Sequence, residues 1–223
     1  MDHGFWHRRW QKNEIGFHEA RPNELLIDNL NALKLTANSR IFVPLCGKTL
    51  DIGWLMRQGH DVVGVELSSK AVDELFESLK ITPVKSTLNS GLICYESPQL
   101  TVYQGDIFNL TAEQLEPVDA VYDRAALVAL PDDLRLKYSR HLLEISHATK
   151  QLLIVFDYDQ SQLSGPPFSI NKAEIERHYN NTYVIKLLHC REVDGGLKGS
   201  CFATESSWLL LPKTQEKMFD AIQ

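Results

Sequence analysis

The sequence predicts an α/β protein whose central sheet is mostly parallel and doubly wound, ends in an antiparallel strand pair, and is preceded by a helical extension. Three observations carry this. Short β-branched runs alternate with amphipathic helical stretches between residues 40 and 156, the pattern of strands joined by crossover helices. The last two apolar runs, 183–191 and 202–211, are separated by ten residues, which is too few for a crossover helix and requires an antiparallel hairpin at the sheet edge. The length of 223 residues, with 43 % hydrophobic and 23 % charged residues, suits one domain with its own core, read as an extension over 1–36 and a core over 37–223.

Taken in order, Pro22 reads as a first-turn proline, followed by the helical stripe Leu25, Leu26, Leu30 and Leu33. Arg40 to Leu45 is a short apolar strand. The loop Cys46-Gly47-Lys48 leads into a helix over Leu50 to Gln58 that Gly59 stops. Asp61 to Glu66 is a buried strand, and Ser68 caps a helix carrying Ala71, Val72, Leu75 and Leu79. Leu92 to Tyr95 and Leu100 to Tyr103 form a hairpin around Ser97-Pro98-Gln99. Val118 to Tyr122 is a strand running into Asp123-Arg124, Leu134 to Ile145 a long amphipathic helix, and Gln151 to Phe156 a further strand. Ser164 to Ser169 is loop, and Ala173 to Tyr179 is helix.

Composition excludes several function classes. Lys and Arg number 23 against 29 Asp and Glu, a formal charge of −6, with no basic run; this argues against nucleic acid as a partner. Cys46, Cys94, Cys190 and Cys201 have no CxxC spacing and read as reduced thiols of a cytoplasmic protein. The first ten residues lack a signal-peptide apolar region, and no run approaches the ~20 apolar residues of a spanning helix. His3, His7 and His18 form no ligand set and the other histidines are scattered, so no metal is expected. No GxSxG elbow is present, and Cys46 reads as a packing residue. Without a heptad seam, a monomer is the expectation.

Ligands of open α/β sheets sit beyond the carboxyl ends of the strands. There the chain places Leu45-Cys46-Gly47, Glu66, Asp106-Ile107 and Asp123-Arg124. The first loop has one glycine where a pyrophosphate cradle needs several, which argues against the alternative of a nicotinamide-dependent oxidoreductase on a similar sheet. Glu66 lies 19 residues beyond Gly47, near the offset at which an acid meets a ribose diol; alone, it equally suits a cap for the helix at Ser68. Asp106 suits an adenine contact or a simple turn. Trp6 and Trp10 share a helix face, either packed on the core or forming a lid over a cationic cofactor. Phe168, behind Pro166-Pro167, is a candidate aromatic wall of the site or a hydrophobic plug. A parallel sheet with a terminal antiparallel pair is the pattern of the Class I S-adenosyl-L-methionine-dependent methyltransferases, whose sheet is Rossmann-like. Acids after the second and third core strands are their usual frame.

Trp6-x-x-x-Trp10 with Gly16-Phe17-His18, then Ile41-Phe42-Val43-Pro44-Leu45-Cys46-Gly47-Lys48 and Gly59-His60-Asp61-Val62-Val63-Gly64-Val65-Glu66, make the chain resemble the thiopurine S-methyltransferase family. Asp106-Ile107-Phe108, Asp123-Arg124-Ala125-Ala126-Leu127, Gly165-Pro166-Pro167-Phe168 and Ala173-Glu174-Ile175-Glu176-Arg177 continue the resemblance in order. It implies that Trp10 covers S-adenosyl-L-methionine, that the Leu45 backbone contacts it and Glu66 holds its ribose, and that Asp106 and Ile107 flank adenine. It further implies that Arg124 lies between cofactor and acceptor, as cofactor ligand and catalytic residue, with Phe17 and Phe168 lining the acceptor pocket. The expected activity is S-methylation of a small aromatic or heterocyclic thiol, with selenium or tellurium nucleophiles as alternative acceptors. The family often has glycine where this chain has Ala125, which puts the local turn in question.

Overall fold

A computed structural model describes residues 3–16 and 18–213. Nine strands form one sheet in the order β3-β4-β5-β2-β1-β6-β7-β9-β8. The parallel centre consists of β1 (Arg40–Pro44), β2 (Asp61–Glu66), β5 (Leu100–Gln104), β6 (Ala120–Arg124) and β7 (Gln151–Tyr158). From β1 the chain winds outward through β2 and β5, then returns to the other side of β1 with β6 and β7. The winding therefore reverses between β1 and β6, the place beyond whose carboxyl ends the ligand crevice of an open α/β sheet lies.

The expected terminal hairpin is present. β8 (Tyr183–Glu192) and β9 (Ala203–Pro212) pair antiparallel, and β9 docks antiparallel on β7. The hairpin of β4 (Ile93–Glu96) with β5 is also found. β3 (Val84–Thr87) was not expected; all four of its residues are exposed, so no alternation of buried positions betrays it, and its place comes from pairing with β4.

Helices cover both faces. On one side α2 (Glu24–Asn29), α3 (Leu50–Arg57) and α4 (Ser69–Leu79) bury Leu25, Leu26, Ile52, Leu55, Val72 and Leu75 against Ile41, Val43, Val62 and Tyr122. On the other, α5 (Ala112–Leu115), α6 (Asp132–Ile145) and α7 (Lys172–Tyr179) bury Leu115, Tyr138, Leu142, Ile175 and Tyr179 against Phe42, Val63, Val121 and Leu153. Val62 and Val63 face opposite clusters, as the two-residue period of a strand demands. The leucine stripe behind Pro22 is buried as expected, but Pro22 is not in the first turn. Asn23 is the N-cap, its side-chain oxygen accepting from the Leu26 N–H at 3.2 Å, which places the proline before the cap. α1 (His3–Gln11) lies against α4, and Lys70 of α4 donates to the Trp10 carbonyl at 3.0 Å.

Candidate active site

The first loop turns sharply. Leu45 takes φ +47° and Gly47 φ +53°, and the loop is tied to the end of β2 by Cys46 N–H donating to Val65 O at 3.0 Å. A left-handed leucine is uncommon and costs conformational energy that the surroundings must offset, a feature that concentrates at functional sites. Gly64 permits the close approach: a Cβ there would stand 2.8 Å from the Cys46 sulfur. Burial pushes the Cys46 thiol well up, so it stays protonated and packs.

Glu66 ends β2 almost fully buried. One carboxylate oxygen accepts from the Gly47 N–H at 2.8 Å and the other from the Ser68 N–H at 2.8 Å. Burial raises its pKa while these amides pull it back. Ser68 caps α4 through the Ala71 N–H. Glu66 thus does what a capping reading requires, yet each oxygen keeps a lone pair for a ligand hydroxyl. The neighbouring strand joins at the same level, with Gly105 N–H donating to Glu66 O at 2.8 Å.

Asp106 opens a 3₁₀ turn over Ile107–Asn109. Its Oδ1 accepts from the Phe108 N–H at 3.0 Å and its Oδ2 lies 3.0 Å from His3 Nε2 of α1. Ile107 is buried, its carbonyl accepting from His141 Nε2 at 2.8 Å. Trp10 is buried under α1. α1 therefore reaches across from Asp106, after β5, to α4, beside the end of β2.

At the end of β6 the two neighbours divide their roles. Asp123 is fully buried and accepts from Tyr138 Oη at 2.7 Å and from Leu127 N–H at 3.1 Å. Burial pushes its carboxyl up to about 6. Arg124 instead meets Glu19, whose carboxylate accepts from its guanidinium. The next residue, Ala125, adopts φ +63°, so alanine stands at a left-handed position that suits glycine. Phe168 is half-buried in the loop after β7. Its N–H donates to Val128 O at 2.6 Å, its ring packs on Gly165, and the Arg135 guanidinium lies 5.7 Å from the ring centre. Phe17 lies outside the described residues.

Sequence reasoning missed a buried polar group behind this crevice. Asp51, in the first turn of α3, accepts from the Asn23 N–H at 2.7 Å and from Tyr122 Oη at 2.9 Å. Asn23 Nδ2 reaches Glu19 and Glu205, and Arg191 binds Glu205 at 2.8 Å and Glu24 at 2.6 Å. The only sequence signal was an acid placed one residue into a capped helix; the partners lie up to 182 residues apart. A second group has the look of a catalytic triad: Ser139 Oγ stands 3.1 Å from His178 Nδ1, and His178 Nε2 3.0 Å from Glu174. Its histidine side chain is wholly inaccessible, and the group clamps α6 to α7.

Solved structures with this architecture include a methyltransferase of Anabaena variabilis described as S-adenosylmethionine-dependent, with TM-score 0.61 at 12 % identity, covering 95 % of each chain. A 1,6-didemethyltoxoflavin N1-methyltransferase of Burkholderia thailandensis gives TM-score 0.62 at 12 % identity, covering 94 % of this chain and 87 % of that one. These likenesses establish the fold. Among curated proteins, the thiopurine S-methyltransferase of Acinetobacter baylyi is 48 % identical over 216 residues, 96 % of this chain and all of that protein. The one from Xanthobacter autotrophicus is 47 % identical over 211 residues, 94 % of this chain and 99 % of that one. The profile of the family described as thiopurine S-methyltransferase matches residues 1–208, from α1 through most of β9, which takes in every element of the crevice. With its glycine-poor first loop, its buried acid after β2 and relatives at this level of identity, the chain belongs to the thiopurine S-methyltransferase family, enzymes that methylate sulfur with S-adenosyl-L-methionine.

Proposed function

We propose that this chain transfers a methyl group from S-adenosyl-L-methionine to the sulfur of a small aromatic or heterocyclic thiol, thiopurines among them. The observation that carries the reading is Glu66, buried at the end of β2 beside the switch point, with both oxygens oriented by the Gly47 and Ser68 amides. A carboxylate held this way accepts from two adjacent hydroxyls with no reorganisation. The first loop fits the same ligand, because a nucleoside joined to an amino acid needs no phosphate cradle. When bound, the cofactor supplies an electrophilic methyl on a sulfonium.

The residues of the chain then divide the work. Glu66 holds the ribose, while the Leu45 backbone and the Asp106-Ile107 turn bound the nucleoside. Trp10, carried by α1, covers the site; an indole near a sulfonium gains from its ring quadrupole. Arg124 lies between cofactor and acceptor and orients the latter. Phe168 walls the acceptor side. An acidic aromatic thiol asks for no dedicated base, and a closed pocket favours a charge-annihilating reaction over the same reaction in water.

Four free cysteines support a reducing, cytoplasmic setting, and a monomer is the working state. No helix among the described residues is long and apolar enough to cross a membrane. The test is methyl transfer from labelled S-adenosyl-L-methionine to thiophenol, a thiopurine, a selenol and tellurite. Labelled thioether from the first two supports the reading. Label on selenium or tellurium alone would move the assignment to metalloid chemistry, and no label on any of them would remove it.

A further inference from the structure

Arg124 ends β6 with its side chain only 10 % exposed, and a carboxylate in contact with it comes from the N-terminal segment. Glu19 sits on the guanidinium and keeps 38 % of its side chain accessible. Asn23 Nδ2 stands 3.4 and 3.3 Å from the two Glu19 oxygens and 3.4 Å from Glu205 Oε1. Asp51 is held in the same group by the Asn23 N–H and Tyr122 Oη. Glu19 thus contacts one buried guanidinium while Asp51 and Glu205 act on it at longer range, and Arg191 engages Glu205 together with Glu24. Of the other neighbours, His18 has its pKa lowered by burial, Lys48 and Arg124, and Lys48 is itself paired with Glu74 at 2.7 Å.

We propose that Glu19 is a specificity-determining residue of the acceptor pocket: by neutralising Arg124 it admits uncharged acceptors and turns away those bearing a carboxylate or phosphate. The inference rests on the reading of Arg124 as lying between cofactor and acceptor. An anion approaching the guanidinium must either displace Glu19 or lie against it. Displacement strands a half-buried carboxylate beside Asp51 and Glu205, and juxtaposition sets like charges together. An uncharged heterocycle meets neither cost, since its N–H can donate to Glu19 while its ring nitrogen accepts from Arg124. A lone guanidinium in the same place would select for anions.

The test uses S-methylated product analogues, which have no ionisable sulfur. 4-(Methylthio)benzamide and 4-(methylthio)benzoate are titrated calorimetrically into the full chain saturated with S-adenosylhomocysteine, and into Glu19→Gln, whose side chain keeps the shape and an oxygen for Asn23. The wild type is expected to bind the amide at least tenfold more tightly than the carboxylate. In Glu19→Gln that ratio should shrink at least tenfold or invert. A wild type that prefers the carboxylate, that binds neither probe, or whose preference survives in the folded variant overturns the proposal. S-adenosylhomocysteine affinity is measured first in each protein; its absence from the wild type would defeat the methyltransferase reading itself, an outcome separate from a failed charge preference.

Discussion

Ala125 shows how a single residue records the demands of the site. It follows Arg124 at φ +63°, where an L side chain crowds the backbone at a cost of ~1–2 kcal/mol. The turn keeps its shape despite alanine because Asp123 pins it from behind through the Leu127 amide and Tyr138. Replacing Ala125 by glycine is expected to raise stability by about 1 kcal/mol, read in urea unfolding as a higher midpoint with unchanged slope. An unchanged or lowered midpoint would show that the turn carries no such strain. The strand-end positions of Glu66 and Arg124 were legible from the sequence, Glu66 at a telling offset from Gly47 and Arg124 behind a buried apolar run. Glu19, Asn23 and Asp51 were not, since buried polar partners that meet across the fold leave no periodicity. Asp106 carried two sequence readings, turn former and ligand; it does form the turn, through the Phe108 amide.

At the scale of elements, the helices were readable because one buried face imposes a period, and the inner strands because burial on both faces makes them continuous apolar runs. β3 escaped because none of its residues is buried, and Pro22 misled because the cap is the next residue, Asn23, which leaves the proline just before the helix. α1 is the element whose role a single substitution tests. The groups that seat it include buried Trp10, the bond from Lys70 Nζ to the Trp10 carbonyl, and the contact of His3 with Asp106. If α1 covers the cofactor, weakening its seat should loosen the ligand more than the fold. Lys70→Met is therefore expected to weaken S-adenosylhomocysteine binding about threefold to tenfold while global stability changes by under about 1 kcal/mol. Equal affinity in wild type and variant would show that α1 is packing and no lid.

Across the whole molecule, the doubly wound sheet was predictable from strand–helix alternation, and its edge from the short span between the last two strands. The N-terminal segment is joined to that sheet by the buried leucines of α2, whose stripe is legible, and by long-range charge pairing, which is invisible in one dimension. The buried charge also shapes the pH response. The Asp123 carboxyl is pushed up to about 6 from an ordinary value of 3.8. Between these values the folded chain holds more protons than the unfolded chain, so this group's contribution is fully present below about pH 4 and is lost as pH rises through about 6. Asp123→Asn lacks that slope, and its stability relative to wild type should climb between pH 4 and 7 by on the order of 1–3 kcal/mol, read by urea unfolding at each pH. A difference independent of pH would mean Asp123 ionises freely. The central claim is that the ends of β1, β2 and β6 grip an adenosyl ligand through Glu66. Its most direct test is calorimetric titration of S-adenosylhomocysteine into the wild type and into folded Glu66→Gln. The predicted result is saturable one-to-one binding that weakens about 10–100-fold in the variant, as charge-assisted hydrogen bonds to the ribose are lost; no binding by the wild type, or equal affinity in both proteins, would contradict it.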